Sequence, residues 1–279
     1  MECILNNITV HYESFGKGRP IIMIHGTEVD HTYMVSDMEP VFTKRDGWKR
    51  IYPDMPGHGK TPGMDWIANQ DKMLEVVLDF IDKVIPGERF VLTGSSKGAY
   101  LARGIVHRRF EMIDGLLLTV PVIMADGNKR EKPSHVTLVT DPILVSELEP
   151  AERDGFIQIA VVQDRKVLEY RRTNFTKSDE LFDEAFLSKI VDDPVNNNFT
   201  FAVDTLPKPF PAPTLIVSGR QDSLVGYRDV WKILENYPRG TFAILDRMGH
   251  LMGAEQEGLF HALASEWLDR VEEYAGRLR

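Results

Sequence analysis

Short apolar runs of strand length, taking turns with helical stripes, constrain this chain more than any other feature. Ile21-Ile22-Met23-Ile24, Arg50-Ile51-Tyr52, Phe90-Val91-Leu92-Thr93-Gly94 and Gly115-Leu116-Leu117-Leu118-Thr119-Val120 are strand-length runs bounded by turn residues. Between them, Asn69–Val84 repeats Met73, Leu74, Val77, Phe80, Ile81 and Val84 on one helical stripe. Ser96–Phe110 reads as a second helix, and a weaker helical pattern lies near Val41–Arg45. Buried strands alternating with helices predict an α/β fold: a mostly parallel, doubly wound sheet covered on both faces. A hairpin, Cys3–Asn7 with Ile8–Phe15, is expected ahead of it.

The rhythm stops near residue 125. From there to Thr205 the pattern is helical, clearest over Ala160–Arg172 and Ser178–Val191. Ser178 followed by Asp179 and Glu180 has the form of an N-cap with acids in the first turn. The alternation resumes with Thr214-Leu215-Ile216-Val217, a helix around Arg228–Asn236, the strand Thr241–Leu245 and a last helix after Gly258. Neither half completes a sheet by itself. The expected organisation is one α/β core, residues 1–124 and 206–279, interrupted by a helical insertion at 125–205. A chain of 279 residues, 43% of them hydrophobic, has ample material for such a core.

Charge narrows the function classes. Thirty-three basic against 42 acidic residues leave a net charge of −9, so the basic footprint that nucleic acid requires is missing. The one cysteine, Cys3, permits neither an internal disulfide nor a thiolate metal cage. The first residues show no basic stretch followed by an apolar one, and the apolar run Leu116 to Ala125 is broken by Thr119 and Pro121. A cytoplasmic protein with a small-molecule substrate is expected, with no nucleic-acid or membrane partner; monomer and homodimer stay equally open.

The sharpest chemical signal is Gly94-Ser95-Ser96-Lys97-Gly98, set between a strand and a helix. In a G-x-S-x-G elbow the chain turns so tightly that the central serine is strained, and side chains at the flanking glycines would strike neighbouring backbone. By register the nucleophile is Ser96. A serine needs a base, and the base an orienting acid. Asp222 falls in the loop past the strand Thr214–Val217, and His250 in the loop past Thr241–Leu245. In a parallel sheet those loops share one edge with the elbow. Asp246 and Asp204 are competing acids, but neither follows a strand so directly.

These residues, with His25-Gly26-Thr27 and Asp54-Met55-Pro56-Gly57-His58-Gly59, resemble the α/β-hydrolase fold superfamily over essentially the whole chain. The resemblance implies that 125–205 is a cap over the site, and that the backbone N–H groups of Thr27 and Lys97 form the oxyanion hole. Lys97 departs from the pattern, which usually has a small, apolar or amide side chain there. Its ammonium is expected to reach solvent, with anion binding as the alternative. Glu28 and His31, beside Thr27, and Phe182 and Phe186, four residues apart in the insertion, are expected to bind substrate.

Two other motifs are set aside. Asp54 to Thr61 imitates a phosphate loop, but Asp54 repels phosphate and Pro56 removes a donor. His25, Glu28, Asp30 and His31 lack metal-ligand spacing. No cofactor or metal is expected. The expected activity is hydrolysis of a small ester, thioester or lactone through an acyl-enzyme on Ser96. The alternatives are carbon–carbon bond hydrolysis or lysis by the same three residues, and a relative that only binds its ligand.

Overall fold

The computed structural model describes residues 1–175 and 182–277. Ten strands appear among them: β1 (Glu2–Ile4), β2 (Thr9–Phe15), β3 (Arg19–Ile24), β4 (Trp48–Pro53), β5 (Phe90–Ser95), β6 (Ile113–Thr119), β7 (Val139–Thr140), β8 (Val162–Gln163), β9 (Thr214–Gly219) and β10 (Gly240–Leu245). Eight form one sheet in the order β1-β2-β4-β3-β5-β6-β9-β10, while β7 and β8 pair separately. The contacts β1 to β2 and β2 to β4 are antiparallel, and the rest of the large sheet is parallel. This is the mostly parallel α/β sheet that the apolar runs predict.

Strands β5, β6 and β9 are buried along their whole length, so the sheet needs a layer on each side. Helix α1 (His31–Phe42) packs with the C-terminal helix Glu257–Gly276, which also contacts β6 and β9. Helix α2 (Gln70–Val84) packs with α3 (Lys97–Arg109), which contacts β3, β5 and β6. Side-chain caps fix two starts: Asp30 accepts from Thr32 N–H at 2.8 Å, and Asn69 from Lys72 N–H at 2.9 Å. The first connection runs β3 to β4 on one side, and the chain then returns to place β5 on the other side of β3. Such a reversal opens a crevice at the C-terminal strand ends.

Several expectations change. The helix expected near Val41–Arg45 is instead the last part of α1, whose start at Asp30 was hidden among polar residues. Pro40 is tolerated there because it and Ser36, whose carbonyl loses its donor, both face solvent. The helix expected over Ala160–Arg172 begins only at Arg165. Before it, Val162–Gln163 is strand, and the N–H groups of Val161 and Val162 turn to the Glu255 carboxylate at 2.7 and 3.2 Å. The cap expected at Ser178, Asp179 and Glu180 lies outside the described residues; the described helix there runs Glu184–Val191, capped by Asp183. Arg228–Asn236 winds as a 3-10 helix.

Residues of the insertion contribute to two cores. Phe186, Leu187 and Ile190 join the main core, whereas Leu144, Phe156, Val167 and Leu168 pack with Leu251 and Ala254. Among the described residues no helix is long and apolar enough to cross a membrane.

The tightest packing lies at Gly98, where a Cβ would come within 2.3 Å of the His25 carbonyl oxygen and 2.5 Å of that of Ile24. Both are backbone atoms at the C-terminal end of β3 and cannot turn aside. Gly98→Ala is therefore expected to lower unfolding free energy by about 1–3 kcal/mol in urea denaturation; an unchanged midpoint would mean that the elbow has slack.

Candidate active site

Strand β5 delivers Ser96 and β3 delivers Gly26 and Thr27, side by side at the reversal of strand order. Ser96 stands at φ 53°, ψ −117°, immediately before α3, a left-handed conformation that a serine adopts only when its surroundings impose it. The surroundings are close. A Cβ on Gly94 would meet the Gly98 carbonyl oxygen at 2.5 Å, and one on Gly26 would meet Ser96 Cβ at 3.1 Å. Backbone bonds lock the turn onto β6 and the loop beyond it: Ser96 N–H donates to Thr119 O at 2.9 Å, and Val122 N–H to Ser96 O at 3.1 Å. Ser95 is the last strand residue, buried, with its hydroxyl 3.2 Å from that of Tyr33.

Ser96 Oγ lies 3.0 Å from His250 Nε2, and His250 Nδ1 lies 2.8 Å from Asp222 Oδ2. Asp222 is wholly buried, and its other oxygen accepts from Leu224 N–H at 2.9 Å and Val225 N–H at 3.0 Å. Asp222 accepts a hydrogen bond from Nδ1–H, which keeps the proton on Nδ1 and leaves Nε2 as the acceptor facing serine. The competing acids are engaged elsewhere. Asp204 pairs with Arg103 at 2.9 Å, and Asp246 accepts from Gln221 at the surface. Glu255, which no sequence pattern singles out, anchors the histidine loop: its Oε2 accepts from Gly249 N–H at 2.6 Å while Oε1 holds Val161 and Val162. Burial, helped by the charge of Asp222, pushes its carboxyl up to about 7 against the pull of those three donors.

Around Ser96 opens a cleft of about 700 Å³. Thr27, Glu28, Lys97 and Phe182 line it, with Tyr33 and Arg130. The N–H groups of Thr27 and Lys97 find no acceptor among the described residues. His31 does not line the cleft; its ring and its N–H both bond to buried Asp54, at 2.7 and 3.0 Å. Phe186 does not line it either. The helix starts only after Phe182, at Glu184, so the two rings do not share a helical face, and Phe186 fills the space beside Gly57 and Gly63. The Lys97 ammonium does not extend freely into solvent: it donates to the Asn197 carbonyl at 3.1 Å and to the Asn197 side-chain oxygen, 4.8 Å over the Tyr100 ring.

The set of described side chains near enough to share a cation is His11, His31 and Asp54, with ligand atoms within 4.8 Å of one another. Both rings turn Nδ1 to Asp54, and none of the three lines the cleft. The loop from Asp54 folds back so that Lys60 N–H donates to the same carboxylate at 3.0 Å, which explains its likeness to a phosphate loop as a sharp turn.

A family model described as serine aminopeptidase, S33, matches residues 19–257. A 2-hydroxy-6-oxo-6-(2'-aminophenyl)hexa-2,4-dienoic acid hydrolase of Metapseudomonas resinovorans is 23% identical over 249 residues, 87% of this chain and 81% of that one. A pimeloyl-(acyl-carrier protein) methyl ester esterase of Legionella pneumophila is 20% identical over 270 residues, 94% of this chain and all of its own. Among solved structures, an α/β superfamily hydrolase from Oenococcus oeni PSU-1 superposes with a TM-score of 0.86 at 26% identity, covering 98% of this chain and 99% of that one.

Behind Tyr33, Tyr170 of the insertion donates to Asp37 of α1 at 2.7 Å. Burial raises the Asp37 carboxyl to about 7 from 3.8, opposed by that bond and helped by Glu257. Between those values the unfolded chain has released a proton that the folded chain keeps. The stability this group contributes is therefore full below about pH 4 and lost as pH rises through 7, by up to about 1.4 kcal/mol per unit. Asp37→Asn keeps the acceptor without the titration. Relative to wild type, its unfolding free energy should improve from pH 5 to about pH 7 and level off above that; a difference that stays flat between pH 5 and pH 7 contradicts the assignment.

Proposed function

This chain belongs to the serine aminopeptidase S33 family of α/β hydrolases, and from that membership we propose that it hydrolyses a small ester, thioester or lactone through an acyl-enzyme on Ser96. The observation that carries the reading is the relay from Ser96 Oγ to His250 Nε2 at 3.0 Å and from His250 Nδ1 to Asp222 at 2.8 Å. In the proposed reaction Ser96 attacks the carbonyl carbon as His250 takes its proton. The oxyanion settles between the N–H groups of Thr27 and Lys97, at a helix N-terminus that favours negative charge. His250 returns the proton to the leaving alcohol or thiol. Water then repeats the sequence on the acyl-enzyme. Asp222 holds the imidazole in the required tautomer and stabilises it when protonated.

The insertion, 125–205, serves in this reading as a cap on the core formed by 1–124 and 206–279. Phe182 and Leu187 on the cleft wall support that role. A second reading, carbon–carbon bond hydrolysis, is favoured by the Metapseudomonas resinovorans relative, whose named substrate is a keto acid with no ester to cleave.

Labelling by a fluorophosphonate, followed by turnover of a panel of esters and lactones, tests the proposal. Ser96→Ala should abolish labelling and lower turnover by roughly 10⁴ to 10⁶, and Asp222→Asn by about 10⁴. An active Ser96→Ala beside a dead Ser95→Ala would reject this register. A trapped acyl group on Ser96 separates ester from carbon–carbon chemistry. Phe182→Ala should change the preference between short and long acyl chains by about 5- to 150-fold, or 1–3 kcal/mol; an unaltered chain-length profile would remove Phe182 from the substrate wall.

A further inference from the structure

Two cations lining the cleft that holds Ser96 stand outside any ion pair among the described residues. Lys97 Nζ donates to the carbonyl and side-chain oxygens of Asn197. Arg130 donates to the carbonyls of Met124 at 2.9 Å, Ala125 at 3.0 Å and Leu224 at 3.3 Å. Both line the cleft, and neither has a carboxylate within ion-pair distance among the described residues. Arg103, the neighbouring third cation, has Asp204. Shortage of acids is no explanation in a chain with 42 of them against 33 bases.

The acids of the cleft wall lie shallower than these two cations. Lys97 and Arg130 are half-buried, whereas Glu28, Glu184 and Asp192, like the further cation Lys132, line the cleft exposed. Burial pushes Lys97 down to about 7, with the fields of Arg130 and Arg103 adding to it, and burial lowers Arg130 against the opposing fields of Asp222, Asp229 and Asp126. Carbonyl oxygens hold these side chains in place without cancelling their charge, and a partly buried cation with no ion-pair partner is costly. Donors remain on both: Lys97 has a third ammonium proton, and the Arg130 guanidinium has two hydrogens beyond the three bonds above.

We propose that Lys97 and Arg130 form an anion subsite beside Ser96, so that the hydrolysed substrate carries a carboxylate. The proposal rests on the serine-hydrolase reading and narrows it to anionic substrates. A carboxylate there accepts charge-assisted hydrogen bonds from both groups. It also keeps Lys97 protonated, because a bound anion stabilises the ammonium form.

The test has two substrate arms. Monoethyl succinate, glutarate and adipate carry the charge on the acyl side; acetyl esters of glycolate and 3-hydroxypropanoate carry it on the alcohol side. Each is compared with a neutral ester of equal length by following the alcohol or acid released. Wild type should favour the anionic member in one arm by about tenfold or more in kcat/KM, and Lys97→Met and Arg130→Met should each reduce that ratio by about tenfold. Glutarate binding to Ser96→Ala, measured by calorimetry, reads the subsite without turnover and should weaken with salt and in the Lys97→Met and Arg130→Met backgrounds. Preference for neutral esters in both arms, a ratio untouched by either substitution, or no glutarate binding overturns the subsite. Absent fluorophosphonate labelling with intact Lys97-dependent glutarate binding overturns the hydrolase reading and leaves the subsite standing. Equal losses on neutral and anionic esters, accompanied by lowered stability, assign both cations to holding the loops and overturn it.

Discussion

Everything at the sheet's working edge depends on how closely three backbone segments approach one another. Gly98 of α3 rests on the carbonyls of Ile24 and His25, and Gly94 of β5 rests on Gly98 and Ala99. With no Cβ between them, β3, β5 and α3 meet at backbone contact, and the connecting residue has nowhere to go but φ 53°. The strain of about 1–3 kcal/mol that such a residue carries is met by the packing around it. The same device operates at Asp222 and His250. A Cβ on Gly219 would fall 2.4 Å from the carbonyl oxygens of Met248 and Gly249, so the loops bearing Asp222 and His250 run in mutual contact.

That is why so much of the molecule was legible in the sequence. Strand runs, the elbow and the order of serine, acid and histidine are local patterns, and a parallel sheet converts their order along the chain into proximity. Asp222 stands out from its competitors because it directly follows β9, and the structure shows those competitors occupied by Arg103 and Gln221. What was not legible depends on contacts between distant segments. His31 looks like a lining residue until Asp54, 23 positions away, is seen to hold it. The pairing of Phe182 with Phe186 assumed a helix that starts two residues too late for it. Lys97 bends to Asn197, 100 residues on, which no periodicity announces. Arg130 sits in a run of charged residues that reads as solvated loop.

Asp54 shows how a buried acid can organise a loop. Its two oxygens gather the rings of His11 and His31 and the N–H groups of His31 and Lys60. Those donors, with the nearby His25, hold its carboxyl well below the ordinary carboxylate range despite burial. His25 in turn accepts from Met55 N–H at 3.0 Å through Nε2 and donates from Nδ1 to the Gly26 carbonyl at 2.7 Å. The segment that delivers Thr27 to the cleft is thus braced from behind by a polar network with few degrees of freedom.

Glu255 makes the insertion and the histidine loop mechanically one piece. One carboxylate oxygen takes Val161 and Val162, the other Gly249, so displacing the insertion strips donors from a group that is mostly out of water. The cost of that displacement is paid next to His250. By thermodynamic reciprocity, an occupant of the cleft that favours one placement of residues 161–162 also favours the matching placement of the Gly249–His250 loop, by no more than the free energy that couples the two. A contact made at residues 161–162 is therefore felt at the Nε2 atom facing Ser96 without touching it.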